Sequence, residues 1–423
     1  MNAKNIKHVL LNEYIYSVIT KFLTIGIGLI QSIIIARYLG PELKGVNAYI
    51  ASITSVGDII ISLGIHQAYP SYRRDYGKDS VECKFFSAAL GMYGILELIA
   101  IIAIYVVHLS DEIKAAILLI PIMGYNRVIS YITYVEKPNK INTWTTIVQI
   151  AYLAYAAFLW VFTKPSFFTS VSLLYFFNII SAIIYTLLLS AKPVFDEKLI
   201  SFTVELVRYG FIPMVALLMT TLNYRIDVIM LHQFSNIDNA MIGIYSLGLT
   251  LSDKIVLIPD TLKNVLVSKL SKGAPDSEVA KVSRLGFFCS VILCILVFLL
   301  GKPVILLFYG IDYIDAYEII LITSIGVLAV SYFKIISQYN IVNNKQNLNV
   351  AMLSIAILVD IFFNIALIPL LGINGAAIAT ALGNIVCGIV FVAYFCRRTS
   401  IRLLDMFLIK KSDLTFLAKA FKH

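Results

Sequence analysis

The stretch NIALIPLLGINGAAIAT, Asn364 to Thr380, joins two long apolar runs through a connector that carries no charge. A connector that bare can sit close to lipid. Pro369 halts the first run, Gly372 and Gly375 permit a tight turn, and Gly375, Ala379 and Gly383 then recur every four residues. That spacing puts three small residues on one helical face, where a neighbouring backbone can approach closely. The reading is a helical hairpin inside a membrane.

Composition agrees. The 423 residues are 59% hydrophobic and only 14% charged, far too apolar for a soluble globular domain. The five cysteines lie in or beside apolar runs without CxxC or Cys/His ligand spacing, so neither a disulfide framework nor a metal site is expected. No GxSxG, HExxH or phosphate-binding loop is found and the five histidines are scattered, so the expectation is a protein that is not an enzyme and uses no cofactor.

Apolar windows of about 20 residues, the length that spans a bilayer, can be placed about twelve times. They run from Tyr14–Ala36 and Val46–Pro70 to Met241–Leu266, Val350–Leu371 and Gly375–Phe395. Spans this long exclude the short alternating strands of a barrel. The expected fold is all-α: a polytopic membrane protein of two six-helix bundles, 1–195 and 196–396, and a basic tail, 397–423. Lys and Arg accumulate in cytoplasmic loops. Placing Arg73, Arg74, Lys78, Lys84, the run from Lys263 to Arg284 and the tail inside leaves few basic residues, among them Lys44 and Lys164, outside. Both termini are then cytoplasmic, and the net charge of +9 reflects orientation rather than nucleic-acid binding. In the tail, Ile401, Leu404 and Phe407 recur at helical spacing and suit an interfacial helix; a disordered basic end is the alternative. NKIN at Asn139–Asn142 and NKQN at Asn344–Asn347 stand about 200 residues apart after the fourth and tenth spans, as duplicated transporter halves would place them. Such halves would be related by a pseudo-two-fold axis along the membrane normal, with a cavity between them.

Charge inside the spans marks where chemistry can occur. Lys21, Asp58, Glu97, Arg127, Arg225, Asp227, Asp253, Lys254, Lys334 and Asp360 all fall there. A charge near the bilayer centre costs about 2.5–3.5 kcal/mol on insertion scales, so such residues tend to face a cavity or a partner. Arg225 and Asp227, two apart, point to different helix faces; Asp253 is a plausible neighbour for Arg225 across a hairpin, and Asp360 and Asn364 form a polar stripe. Lys21, Arg127, Arg225 and Lys254 suit phosphate oxygens or acidic sugars. Asp58, Asp227, Asp253 and Asp360 suit charge balance or ion coupling.

Three patches resemble one family. An Asn before a Pro and then GINGAAIAT looks like the eleventh-to-twelfth helix junction of the polysaccharide-repeat flippases, members of the multidrug, oligosaccharidyl-lipid and polysaccharide exporter superfamily. ARYLGPELKG, Ala36 to Gly45, resembles the segment closing their first helix, matching at Arg37, Leu39, Gly40 and Gly45, although Lys44 replaces the usual aromatic. Asp227 matches the family's acidic residue in the seventh helix, and Gly243, Ile244, Tyr245 and Ser246 its GxYS segment. The resemblance implies a bacterial inner-membrane flippase that moves a polyprenyl-diphosphate-linked oligosaccharide, such as an O-antigen or capsule repeat, by alternating access. Its partners would be that lipid-linked sugar, membrane lipids, and polysaccharide polymerase and chain-length proteins. The rival from the same superfamily is an ion-coupled exporter of small cationic drugs, whose cavity would be dominated by carboxylates; a non-transporting scaffold would need no polar cavity.

Overall fold

The computed structural model describes residues 3–189, 191–408, 410 and 413, with side chains for all of these except 3–19, 21–22, 78–80, 264–265 and 268. Among the described residues there is no strand. Eleven helical stretches among the described residues are long and apolar enough to cross a membrane. The first of them, Leu23–Ser62, is 40 residues long. It belongs to α1 (Ala3–Ser62), which breaks at Gly40 (φ 67°) just before Pro41. Proline removes a helical hydrogen bond and glycine tolerates the left-handed backbone, so α1 holds two crossings and the total expected from hydropathy is met.

The chain divides into two compact units, Met1–Leu218 and Met219–His423. In the first, α1 is followed by a short 3₁₀ turn, α2 (Tyr69–Tyr76), α3 (Lys78–Val106), α4 (Asp111–Glu136), α5 (Pro138–Phe162) and α6 (Phe167–Leu189). Ser110 caps α4 by accepting from the Ile113 amide, and Asp111 and Glu112 occupy its first turn, where the helix dipole favours anions. α4 touches α1, α3, α5 and α6 and is the centre of this unit. Its partner faces are tight: a Cβ at Gly57 would fall 2.5 Å from Ile120. The unit boundary lies inside α7 (Leu199–Leu231).

The second unit continues with α8 (Asn239–Ser252), a 3₁₀ turn over Asp253–Val256, and α9 (Leu257–Leu270). Hydropathy alone reads this stretch as one continuous helix, and the structure breaks it. The cause is Pro259, whose ring clashes with the carbonyl of residue 255 in a regular helix. Then come α10 (Asp276–Phe308), α11 (Ala316–Val342), α12 (Gln346–Leu371), α13 (Ile373–Thr399) and the single turn α14 (Leu404–Phe407). α11 and α13 form the centre. Small residues let them meet: a Cβ on Gly326 would sit 2.6 Å from the Ala381 backbone. Gly375 and Gly383 of α13 face α12, where added Cβ atoms would lie 2.3 Å from the Leu367 carbonyl and 2.9 Å from Asp360. By contrast α10 exposes Ile295, Phe298 and Leu299, the apolar outer surface a helix turns to lipid.

Candidate functional site

Three helices of the second unit each bring a polar pair spaced by four residues, the spacing that puts both side chains on one face. α7 supplies Asn223 and Asp227, α12 supplies Asp360 and Asn364, and α13 supplies Thr380 and Asn384. Asp227 and Asp360 are 1% and 2% exposed and Asn364 is fully buried. The Asn364 amide donates to both carboxylates, 2.8 Å to Asp227 Oδ1 and 3.1 Å to Asp360 Oδ1. Thr380 Oγ1 lies 2.8 Å from Asp227 Oδ2 and 2.9 Å from the Ala376 carbonyl. Tyr245 of α8 sits 2.8 Å from the same hydroxyl. The two carboxyl groups lie within electrostatic reach of each other, and no ion pair reaches either among the described residues.

Two buried acids in contact with no basic partner need a positive charge between them. A shared proton supplies one; so does a small cation. The Asn364 Oδ1 atom is buried without a partner. Together with both carboxylates, Thr380 Oγ1 and the Ala376 carbonyl it makes an all-oxygen set, the ligand type hard cations take.

A small cavity adjoins this pair. It is lined by Asn223, Tyr224, Asp227, Ser252, Asp253, Thr380 and others, with about 20 Å³ open to the centres of water-sized molecules, room for about one water. Beyond it, at the break between α8 and α9, lies a cluster of opposite character. Exposed Asp253 is within electrostatic reach of Lys334, Arg225 and Lys254. Lys334 Nζ stands 3.5 Å from Asp260 and 5.1 Å over the Tyr224 ring, and Lys263 pairs with Asp260 at 2.6 Å.

The model of the family described as "Polysaccharide biosynthesis protein" matches residues 10–268. The chain belongs to that family. In structure this polysaccharide biosynthesis family member is similar to the lipid II flippase MurJ in its inward closed conformation, at 17% identity and a TM-score of 0.75, covering 93% of this chain and 89% of MurJ. It is also similar to an inward-facing multidrug resistance MATE transporter of the MOP superfamily, at 12% identity and a TM-score of 0.64, covering 91% and 98%. A Vibrio cholerae MATE transporter, VcmN, matches at 13% identity and 0.53, covering 93% and 97%. No curated protein matches in sequence. The fold is therefore the MurJ and MATE fold of two helical bundles.

In this family member the sequence candidates separate into three places. Asp58 and Arg127 meet in the first unit, where both Nε (3.0 Å) and Nη2 (2.7 Å) donate to Asp58 Oδ2. The Asp58 side chain is 2% exposed and the Arg127 side chain 27%. Nearby Oδ1 of Asp58, His66 Nδ1 and the Tyr93 hydroxyl are buried without partners. Asp227 and Asp360 form the acid pair; Arg225, Asp253 and Lys254 join the charged cluster. Lys21 lies on α1 outside the described side chains. Glu97 stays apart, with Oε2 buried and unpartnered. The other contributors, Asn223, Tyr245, Thr380 and Asn384, carry no charge to mark them in the sequence. For Asn223, Thr380 and Asn384 the signal was legible as polar pairs four apart in otherwise apolar helices, whereas Tyr245 lies in the GIYS segment of α8.

Proposed function

We propose that the protein moves polyprenyl-diphosphate-linked oligosaccharide repeats across the bacterial inner membrane by alternating access, driven by a monovalent cation held at Asp227 and Asp360. Both termini would be cytoplasmic, and a polymerase and chain-length proteins would take the product, an O-antigen or capsule repeat, on the far side. The observation that carries the coupling reading is the unpaired buried acid pair in its all-oxygen shell. The basic members of the cluster and Arg127 support an anionic substrate, because guanidinium offers paired donors and ammonium a point charge to phosphate oxygens. Membership of a polysaccharide biosynthesis family supports a sugar cargo over a drug.

The test is reconstitution into liposomes with a fluorescent polyprenyl-diphosphate oligosaccharide. The protein is expected to accelerate transbilayer movement under a proton or sodium gradient. Arg225→Ala should abolish movement, and Asp227→Asn should abolish its response to the gradient. Absence of lipid movement together with extrusion of a cationic dye would overturn the assignment in favour of a drug exporter.

A further inference from the structure

We propose that Asp253 is the gate through which the coupling cation reaches the buried Asp227–Asp360 pair, and that an anion bound to Arg225 and Lys334 opens it. The proposal rests on the coupling site described above and adds how cargo and cation are linked.

The acid pair has a way out. Asp227 and Asp253 line the same cavity, and the side chains between them include the uncharged polar groups Asn223, Tyr224, Ser252, Thr380 and Asn384. Both ends carry unsatisfied oxygen atoms, Asn364 Oδ1 at the pair and the Tyr224 hydroxyl on the cavity wall. Unsatisfied polar atoms in a space that admits about one water are what a proton relay, or a cation stripped of its water shell, uses. Asp227 is 1% exposed whereas Asp253 is exposed, so Asp253 is the carboxylate a cation meets first.

The surroundings of Asp253 oppose that approach. Arg225, Lys254, Lys334 and Lys263 gather around Asp253 and Asp260, so four positive charges face two negative ones. Like charge repels an entering cation, more strongly where protein replaces water. A diphosphate or acidic sugar on Arg225 and Lys334 neutralises the excess and frees the Asp253 carboxylate. The cation then enters only when cargo is present, which is the order a coupled carrier needs. The 3₁₀ turn that begins at Asp253 sets this residue at a helix break, the non-helical backbone that membrane proteins tolerate where it lines a cavity.

The experiment follows cation exchange in full-length protein in nanodiscs, with ²²Na⁺ in one arm and pH-jump proton release in the other, using inorganic pyrophosphate as the anion probe. Wild type should hold a cation that Asp227→Asn loses, and pyrophosphate should speed its exchange about ten-fold. Asp253→Asn should keep the equilibrium occupancy but exchange slowly and ignore pyrophosphate; Asp253→Glu should recover the response, and Lys334→Met should exchange fast without the probe. A purely structural Asp253 would alter occupancy and rate together, which overturns the gate. So does an Asp253→Asn protein that exchanges and responds like wild type, and that result leaves the acid-pair site standing. If wild type shows no Asp227-dependent occupancy for either ion, the site itself is removed and the gate with it.

Discussion

At Gly375 the packing leaves no room for a methyl group: a Cβ would meet the Leu367 carbonyl at 2.3 Å, and backbone cannot swing aside as a side chain can. At Gly94 of α3 nothing lies within 4 Å. Alanine at these two glycines should therefore act in opposite directions. Gly375→Ala is expected to cost about 1–3 kcal/mol by overpacking, and Gly94→Ala to gain about 0.5–1 kcal/mol from helix propensity; thermal unfolding in detergent checks both. Sequence alone reveals the small-residue face of α13 because its period of four is written in the chain. The same holds for Arg225 and Asp227, placed on different faces by their spacing and found with Arg225 exposed and Asp227 buried. Pairing is another matter. Asp58 and Arg127 lie 69 residues apart, and no local pattern says that Asp58 answers Arg127 rather than Lys21.

Among the elements, the segment after α13 is held by long-range contacts of its side chains and backbone. Ile401, Leu404 and Phe407 suit an interfacial helix, with a disordered basic end as the alternative; the described part forms the single turn Leu404–Phe407, in which Leu404 is 68% exposed and Met406 is fully buried. The segment is clasped to its own unit. Phe407 packs on Tyr332 and Phe287, the Tyr332 hydroxyl donates to the Met406 carbonyl at 3.2 Å, and Arg284 donates to the Asp405 carbonyl. Asp413 accepts from Arg284 at 2.8 and 3.0 Å, the pair being 0% and 5% exposed. Residues 414–423, which complete the tail, lie outside the described residues. Removing one partner of a buried pair costs about 3–5 kcal/mol, so Asp413→Asn should lower the unfolding temperature. Burial raises the Asp413 pKa, but the Arg284 hydrogen bonds, the Lys410 amide and the charges of Arg284 and Lys281 outweigh it and hold the carboxyl below its ordinary value. A depressed folded pKa means the clasp contributes fully above about pH 4, the unfolded value, and is lost as pH falls through the lower folded one. Wild-type stability should show no step from the clasp between pH 6 and 9, and Asp413→Asn should lack the loss seen below about pH 4. A clasp joining residues this far apart is invisible to periodicity; the interruption at Asp253 was half legible, in Pro259.

On the scale of the whole molecule, hydropathy was enough to count the crossings, because an apolar run of bilayer length has one stable form in lipid. It located neither the buried acid pair nor the charged cluster as separate places, since both draw on helices distant in the chain. The proposed orientation follows from the basic loops, and cysteine accessibility tests it. In intact cells a membrane-impermeant maleimide should label Lys164→Cys, in the connector after α5, and should reach Lys272→Cys, in the connector after α9, only once the membrane is permeabilised. Both positions are exposed, so the reverse pattern would invert the molecule.

The bond between Arg284 and Asp413 also imposes a timetable on biosynthesis. The two residues are 129 apart in the chain, and at about 5–20 residues per second the ribosome needs roughly 6 to 26 s to travel between them. Throughout that interval Arg284 of α10 has been made and the Asp413 carboxylate has not. The second unit therefore completes this contact late, and a chain ending before residue 413 keeps its apolar spans but loses the carboxylate that accepts both hydrogen bonds from Arg284.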